Sequence, residues 1–149
     1  MFVWLSKIGA WGAVWLALGL LLALARRQWL PFAAVLVADA GADGFTALLK
    51  WAVGERRPAG DALVGVPHSS SFPSGHTATS FACATVLSAY VPRAAPALYL
   101  LALAIGFSRV YLGVHWPLDV VGGAALGVAI ALLLLAAIRR RLGASRRSG

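Results

Sequence analysis

Three short stretches of this chain hold polar residues whose types and spacing can do chemistry. They are Lys50 with Arg57 and Pro58, then Pro73-Ser74-Gly75-His76, then Ser108-Arg109 followed by His115 and Asp119. Lys50, Arg57 and Arg109 would concentrate positive charge, and arginine forks match the oxygens of a tetrahedral anion two at a time. Ser74, Gly75 and His76 are expected to open a helix. Backbone N–H groups lack partners there and a glycine allows close approach, so they suit the same anion. Phosphate fits such a site best. His115 and Asp119 stand four residues apart across an expected helix start. The carboxylate can therefore reach one imidazole nitrogen, fix the tautomer and leave the other nitrogen as a nucleophile. His76, in a different segment, can protonate a leaving oxygen near neutral pH. The chemistry implied is phosphoryl transfer through a phosphohistidine, followed by attack of water.

Taken singly, each stretch has an ordinary reading. Arg56 and Arg57 would cap a membrane span at its interface, Ser74 would be a helix N-cap, His115 would be an interhelical hydrogen-bonder, and His68 is a solvated loop histidine. Against these readings stands the convergence of three ordered clusters on one end of the molecule, which follows from the elements that carry them.

Those elements are long apolar runs, at residues 8–25, 30–49, 72–91, 94–114 and 117–138. Of 149 residues, 60% are hydrophobic and 12% charged, with a mean hydropathy of +0.81. An ordinary soluble domain has about 45–50% apolar and about 25% charged residues, so this is an integral membrane protein, and disorder is excluded. The net charge of +8 does not point to nucleic acid, because Arg26, Arg27, Arg93 and the C-terminal arginines sit between or after the apolar runs, as membrane proteins distribute them. Each run approaches the ~20 residues a spanning helix needs, and none alternates with the two-residue period of a strand. The fold expected is all-α, a polytopic transmembrane bundle of about five spanning helices. It would form a single domain over residues 1–149 with a basic cytoplasmic tail at 139–149. The first run is expected to be retained as a helix. The lone Cys83 excludes an internal disulfide, and no Cys/His metal spacing occurs. Counting positive charge puts Arg26, Arg27, Arg93 and the C-terminus on the cytoplasmic side. The loop 50–71, the turn 109–119 and the start of the third helix then share the opposite face, so all three clusters meet there.

The clusters, written K-x6-R-P, P-S-G-H and S-R-x5-H-x3-D, resemble the signature of the type 2 phosphatidic acid phosphatase superfamily. That superfamily includes membrane lipid phosphatases and soluble vanadium-dependent haloperoxidases. All three motifs are intact, and the resemblance covers residues 30–137. It implies that Lys50, Arg57, Ser74, Gly75 and Arg109 bind phosphate, that His76 is the general acid, His115 the nucleophile and Asp119 its partner, and that no metal or other cofactor is needed. The expected partner is a lipid phosphate in the bilayer. Candidates are undecaprenyl or other polyprenyl phosphates and diphosphates, phosphatidate, and phosphatidylglycerol phosphate. A haloperoxidase is a minor alternative, since those relatives are larger and soluble. A non-enzymatic membrane protein with a relic site is another, and the intact His76, His115 and Asp119 speak against it. Membrane members often carry six helices, three of them before the first motif, whereas two precede it here.

Two features fall outside the motifs. On a helix, positions 39, 43, 46 and 50 lie within about 60° of one another. Asp39, Asp43, Thr46 and Lys50 should therefore form one polar stripe, serving either as interhelical glue or as the wall of a hydrated cavity. Gly123 and Gly127 form a G-x-x-x-G pair expected to let two helices of the same chain pack closely.

Overall fold

The structure, a computed structural model, describes residues 12–58, 62–65 and 69–145. Lys7, Asp61, His68, Arg146 and Arg147 lie outside the described residues, as does the start of the first apolar run. Within them five α-helices follow one another: α1 (Ala13–Arg26), α2 (Leu30–Val53), α3 (Gly75–Tyr90), α4 (Ala95–Tyr111) and α5 (Pro117–Ser145). A 3-10 turn, Pro92–Ala94, leads into α4, and no strand occurs among the described residues. The breaks lie where backbone chemistry requires them. Arg27 takes a left-handed conformation and donates its N–H to the carbonyls of Ala23 and Leu24, closing α1. Gly54, at φ 65, closes α2 on the carbonyl of Lys50. Prolines stand at the starts of α2, α4 and α5, where a missing N–H costs no hydrogen bond.

Among the described residues three stretches are long and apolar enough to cross a membrane: Leu30–Val53, Pro92–Tyr111 and Pro117–Ala144. The described part of α1 is apolar but shorter. Helix α3 differs in composition, with Thr77, Thr79, Ser80 and Thr85 among its buried residues. Its place explains this, because α3 packs against all four other helices. A helix surrounded by protein has no lipid-facing surface to cover with leucine, and small or hydroxylated residues let its neighbours approach. Ala78, Ala82, Cys83 and Ala84 are fully buried there. The indole of Trp15 donates to Ser80 Oγ at 3.2 Å, tying α1 to the same centre.

Gly123 and Gly127 belong to this packing. A β-carbon at Gly127 would overlap the carbonyl of Ala78, and one at Gly123 the carbonyl of Ser74. The G-x-x-x-G pair thus joins α5 to α3 within one chain. Helix α5 departs from expectation at its far end. It continues past residue 138 through the triple arginine to Ser145, because arginine ends an apolar stretch without breaking a helix. At ~1.5 Å per residue its 29 residues span roughly 43 Å. That exceeds a hydrocarbon core of about 30 Å, and Arg139, Arg140 and Arg141 stand exposed beyond it.

The two ends of the bundle are chemically distinct. Arg26 and Arg93 border one cleft with Val91 and Pro92. The C-terminal ends of α2 and α4 and the N-terminal ends of α3 and α5 meet at the other end, together with residues 54–58, 69–74 and 112–116.

Candidate active site

Residues 54–58 and 69–74 are tied to each other through one main-chain carbonyl. Ser71 N donates to the carbonyl of Glu55 at 2.9 Å, and Ser70 Oγ donates to the same carbonyl at 3.2 Å. The expected cations hold this arrangement. Lys50 Nζ donates to the carbonyls of Ser70 at 2.5 Å and Ser71 at 3.2 Å. Arg57 donates from Nε to the Ser69 carbonyl at 2.9 Å, from Nη2 to the Ser70 carbonyl at 3.3 Å and from Nη1 to the Val114 carbonyl at 2.7 Å. Neutral carbonyls orient both cations and leave their charge uncompensated. Burial pushes the Arg57 guanidinium down from its ordinary value, and the Asp119 carboxylate opposes that shift.

His115 and Asp119 meet as their spacing suggests, with Nδ1 and Oδ2 3.1 Å apart and Asp119 fully buried. The same Oδ2 accepts the backbone N–H of Trp116 at 2.8 Å and the hydroxyl of Ser71. With Nδ1–H donating to this oxygen, His115 Nε2 carries the lone pair. It lies 3.4 Å from Arg57 Nη1. Burial lowers the His115 imidazole from 6.5 to about 4. The hydrogen bond to Asp119 opposes this, while Arg57 and Lys50 push the same way. The imidazole is therefore neutral at pH 7, which a nucleophilic nitrogen requires.

Helix α3 begins at Gly75, so the N–H groups of Gly75 and His76 have no carbonyl one turn back to accept them. Ser74 is used differently from expectation. Its N–H donates to the backbone carbonyl of Asp119 at 3.0 Å, which joins the starts of α3 and α5. Its hydroxyl caps nothing and accepts from Thr77 Oγ1 at 3.0 Å. One hydroxyl proton is thus the donor Ser74 retains for a ligand. Arg109 is 5% exposed in the last turn of α4. His76 is partly buried, and the charges of Arg109, His115, Lys50 and Arg57 all bear on it. All eight residues singled out from sequence thus gather at one end of the bundle.

The serines at 69–71 were not singled out. Ser71 fixes the carboxylate that fixes His115, and the carbonyls of Ser69 and Ser70 orient Arg57 and Lys50. A run of three serines just ahead of Pro73-Ser74-Gly75-His76 was the available signal. The polar stripe on α2 divides. Asp43, Thr46 and Lys50 line one cavity beside Gly75, and Asp43 Oδ1 accepts from Thr79 Oγ1 at 3.2 Å. Asp39 instead sits against Gly12. Among the described residues no group of three or more His, Cys, Asp or Glu is placed to hold a metal ion.

The model of the PAP2 superfamily matches residues 17–142 of this chain. The decaprenylphosphoryl-5-phosphoribose phosphatase of Mycobacterium tuberculosis is 35% identical over 140 residues, covering 87% of this chain and 75% of that protein. Among solved structures, the transmembrane PAP2-type phosphatidylglycerolphosphate phosphatase of Bacillus subtilis superposes with a TM-score of 0.75 at 26% identity, over 93% of this chain and 75% of its own. LpxE of Aquifex aeolicus superposes with a TM-score of 0.69 at 30% identity, over 91% and 85%.

Proposed function

The chain belongs to the PAP2 superfamily and is a membrane lipid phosphatase, and from that premise we propose that it works through a phosphohistidine on His115. The observation that carries this is the His115–Asp119 pair. Its Nδ1 is committed to a buried carboxylate, and its neutral Nε2 faces a guanidinium at the mouth of a helix N-terminus. Phosphate oxygens would be held by Lys50, Arg57 and Arg109 and by the first-turn N–H groups at Gly75 and His76, with the Ser74 hydroxyl beneath. Nε2 attacks phosphorus, the ester P–O bond breaks, and His76 delivers a proton to the departing oxygen. Water then attacks the phosphohistidine, His76 takes its proton, and inorganic phosphate leaves. The cations act most strongly where charge spreads over the equatorial oxygens in the transition state. Turnover in EDTA and inhibition by vanadate, which adopts the five-coordinate geometry of that transition state, are both expected.

The substrate is the phosphomonoester or diphosphate of a polyprenyl or glycerolipid, as the activities named for the relatives suggest. The active site faces the extracytoplasmic side. The arginines at 26, 27, 93 and 139–141 favour the cytoplasm for the opposite end. Phosphate release by purified protein over a panel of such lipids in EDTA tests the activity. An alkaline quench followed by mass spectrometry tests the intermediate, and a phosphoryl group found on any residue other than His115 overturns the mechanism. A reporter fused after Gly149 should read cytoplasmic, and a cysteine replacing Leu63 should be labelled from outside.

A further inference from the structure

Phosphoryl transfer as described uses the Ser74 hydroxyl and the first N–H groups of α3 but gives no part to Thr77, the third residue of that helix. An N-cap serine ordinarily turns its Oγ to accept the backbone N–H of the second or third helical residue. Ser74 makes no such bond. Its Oγ accepts instead from the side chain of Thr77, at 3.0 Å. The first main-chain bond of α3 is that of Ala78 N to the Ser74 carbonyl, at 3.0 Å, so the N–H groups of Gly75, His76 and Thr77 are left to an external acceptor. The same bond directs a proton. Two hydroxyls cannot donate to each other at once, so a Thr77 that donates obliges Ser74 to send its own proton elsewhere. Both residues are fully buried, and among the described residues no acceptor takes that proton.

Packing aims the Thr77 hydroxyl. A helical threonine commonly turns Oγ1 back to the carbonyl four residues earlier, as Thr85 does to Phe81 at 2.7 Å on the same helix. Thr77 does not, and its side chain is wedged between α4 and α5 at two glycines. A β-carbon on Gly106 would stand 3.4 Å from both Oγ1 and the methyl of Thr77, and one on Gly123 would stand 3.2 Å from Thr77 Cβ. A β-branched side chain confined on both sides has few rotamers open to it.

We propose that Thr77 is a positioning residue for the phosphoryl group: by donating to Ser74 Oγ it keeps Ser74 from capping α3 and turns the Ser74 proton toward the phosphate oxygens, beside the first-turn N–H groups. The proposal rests on the phosphatase reading and deepens it. Thr77 touches neither phosphate nor lipid. Its whole effect passes through Ser74, which sets it apart from a residue that merely fills the space between α4 and α5.

The test uses the full-length protein in detergent, with phosphate release from farnesyl phosphate and dioleoyl phosphatidate as the readout. Thr77→Val keeps the shape that Gly106 and Gly123 accommodate and removes the donor. It should lower kcat/KM about tenfold, the scale of one hydrogen bond to a charged group, and weaken inhibition by vanadate by a similar factor. The melting temperature should stay near wild type. Thr77→Ser should restore most of the activity, and Thr77→Ala, a second way to delete the donor, should repeat the loss. Ser74→Ala should cost at least as much as Thr77→Val. Adding Thr77→Val to Ser74→Ala should then change kcat/KM by less than about twofold, because residues that act as one unit are not additive. Wild-type rates in Thr77→Val overturn the proposal and leave the phosphatase reading standing. Losses that multiply in the double variant overturn it as well, since Thr77 would then act apart from Ser74. Release from neither probe nor from any lipid phosphate by the wild-type protein overturns the phosphatase reading, and the role of Thr77 with it.

Discussion

At one end of the bundle Arg26, Arg27 and Arg93 are exposed, and Arg26 and Arg93 border an open cleft. At the other end Arg109 is buried, Arg57 is half-buried and gripped by three main-chain carbonyls, and Lys50 is held by one of these, that of Ser70, and by that of Ser71. The sign of the charge is the same and the solvation is not. An exposed arginine at a membrane interface keeps its water and serves to orient the chain. Cations crowded out of water repel one another and are desolvated, and that combination is stable only with an anion to share. Counting arginines therefore indicates topology at one end, while burial indicates a ligand at the other.

The sharpest way to break this comparison is at the nucleophile. His115→Ala should lower kcat by at least about 10⁴-fold, the scale on which loss of a nucleophile registers. Insertion and melting temperature should stay near wild type, and substantial residual turnover would assign the chemistry elsewhere. The two kinds of arginine come next. Arg57→Ala should cost about 10²–10³ in kcat/KM, as loss of a preorganised charge in a transition-state site does. Arg93→Ala should change it less than twofold, and comparable losses at both ends would dissolve the distinction. Arg57→Lys should recover only part of the activity, because an ammonium cannot reproduce the fork that reaches Ser69, Ser70 and Val114 together. A smaller effect is expected at Ser71, which acts through Asp119. Ser71→Ala should reduce kcat about tenfold with KM unchanged, the worth of one hydrogen bond to a charged group, and Ser71→Thr should restore it.

The smallest effect is on stability. The folded-state pKa of His115, about 4, lies below its ordinary value of 6.5. Between those values the unfolded chain binds a proton that the folded chain refuses, so stability rises with pH. The contribution is complete above pH 6.5 and is lost as pH falls toward 4. Melting in detergent should be lower at pH 5 than at pH 7.5. His115→Gln, which keeps a donor near Asp119, should narrow that gap; an unchanged gap would place its origin in other groups.

Much of this was legible from the chain. The apolar runs located the described helix ends to within about four residues, the far end of α5 apart, because bilayer thickness sets the length of an apolar run though not of the helix that carries it, and the i to i+4 spacing of His115 and Asp119 is itself a statement about one helical turn. What local pattern could not show was which partners fill the remaining valences. Ser74 carries the ordinary marks of an N-cap, but its N–H is spent on the Asp119 carbonyl, an acceptor 45 positions away that no window contains. Ser71 is unremarkable in a serine-rich loop until tertiary packing brings it to the Asp119 carboxylate.

The sequence by itself determined a bundle of apolar helices, the end at which charge gathers, and the pairing of His115 with Asp119. Each follows from bilayer thickness, from helical periodicity, or from the placement of charge between apolar runs. Only the tertiary structure decided that α3 is the central helix and that Gly123 and Gly127 bind α5 to it within one chain. It also separated Asp43 and Thr46, which line a cavity at the active site, from Asp39, which packs against Gly12. The physical reason is that a helix position fixes the angle at which a side chain leaves the axis, and the residue it meets there is fixed by the packing of the neighbouring helices.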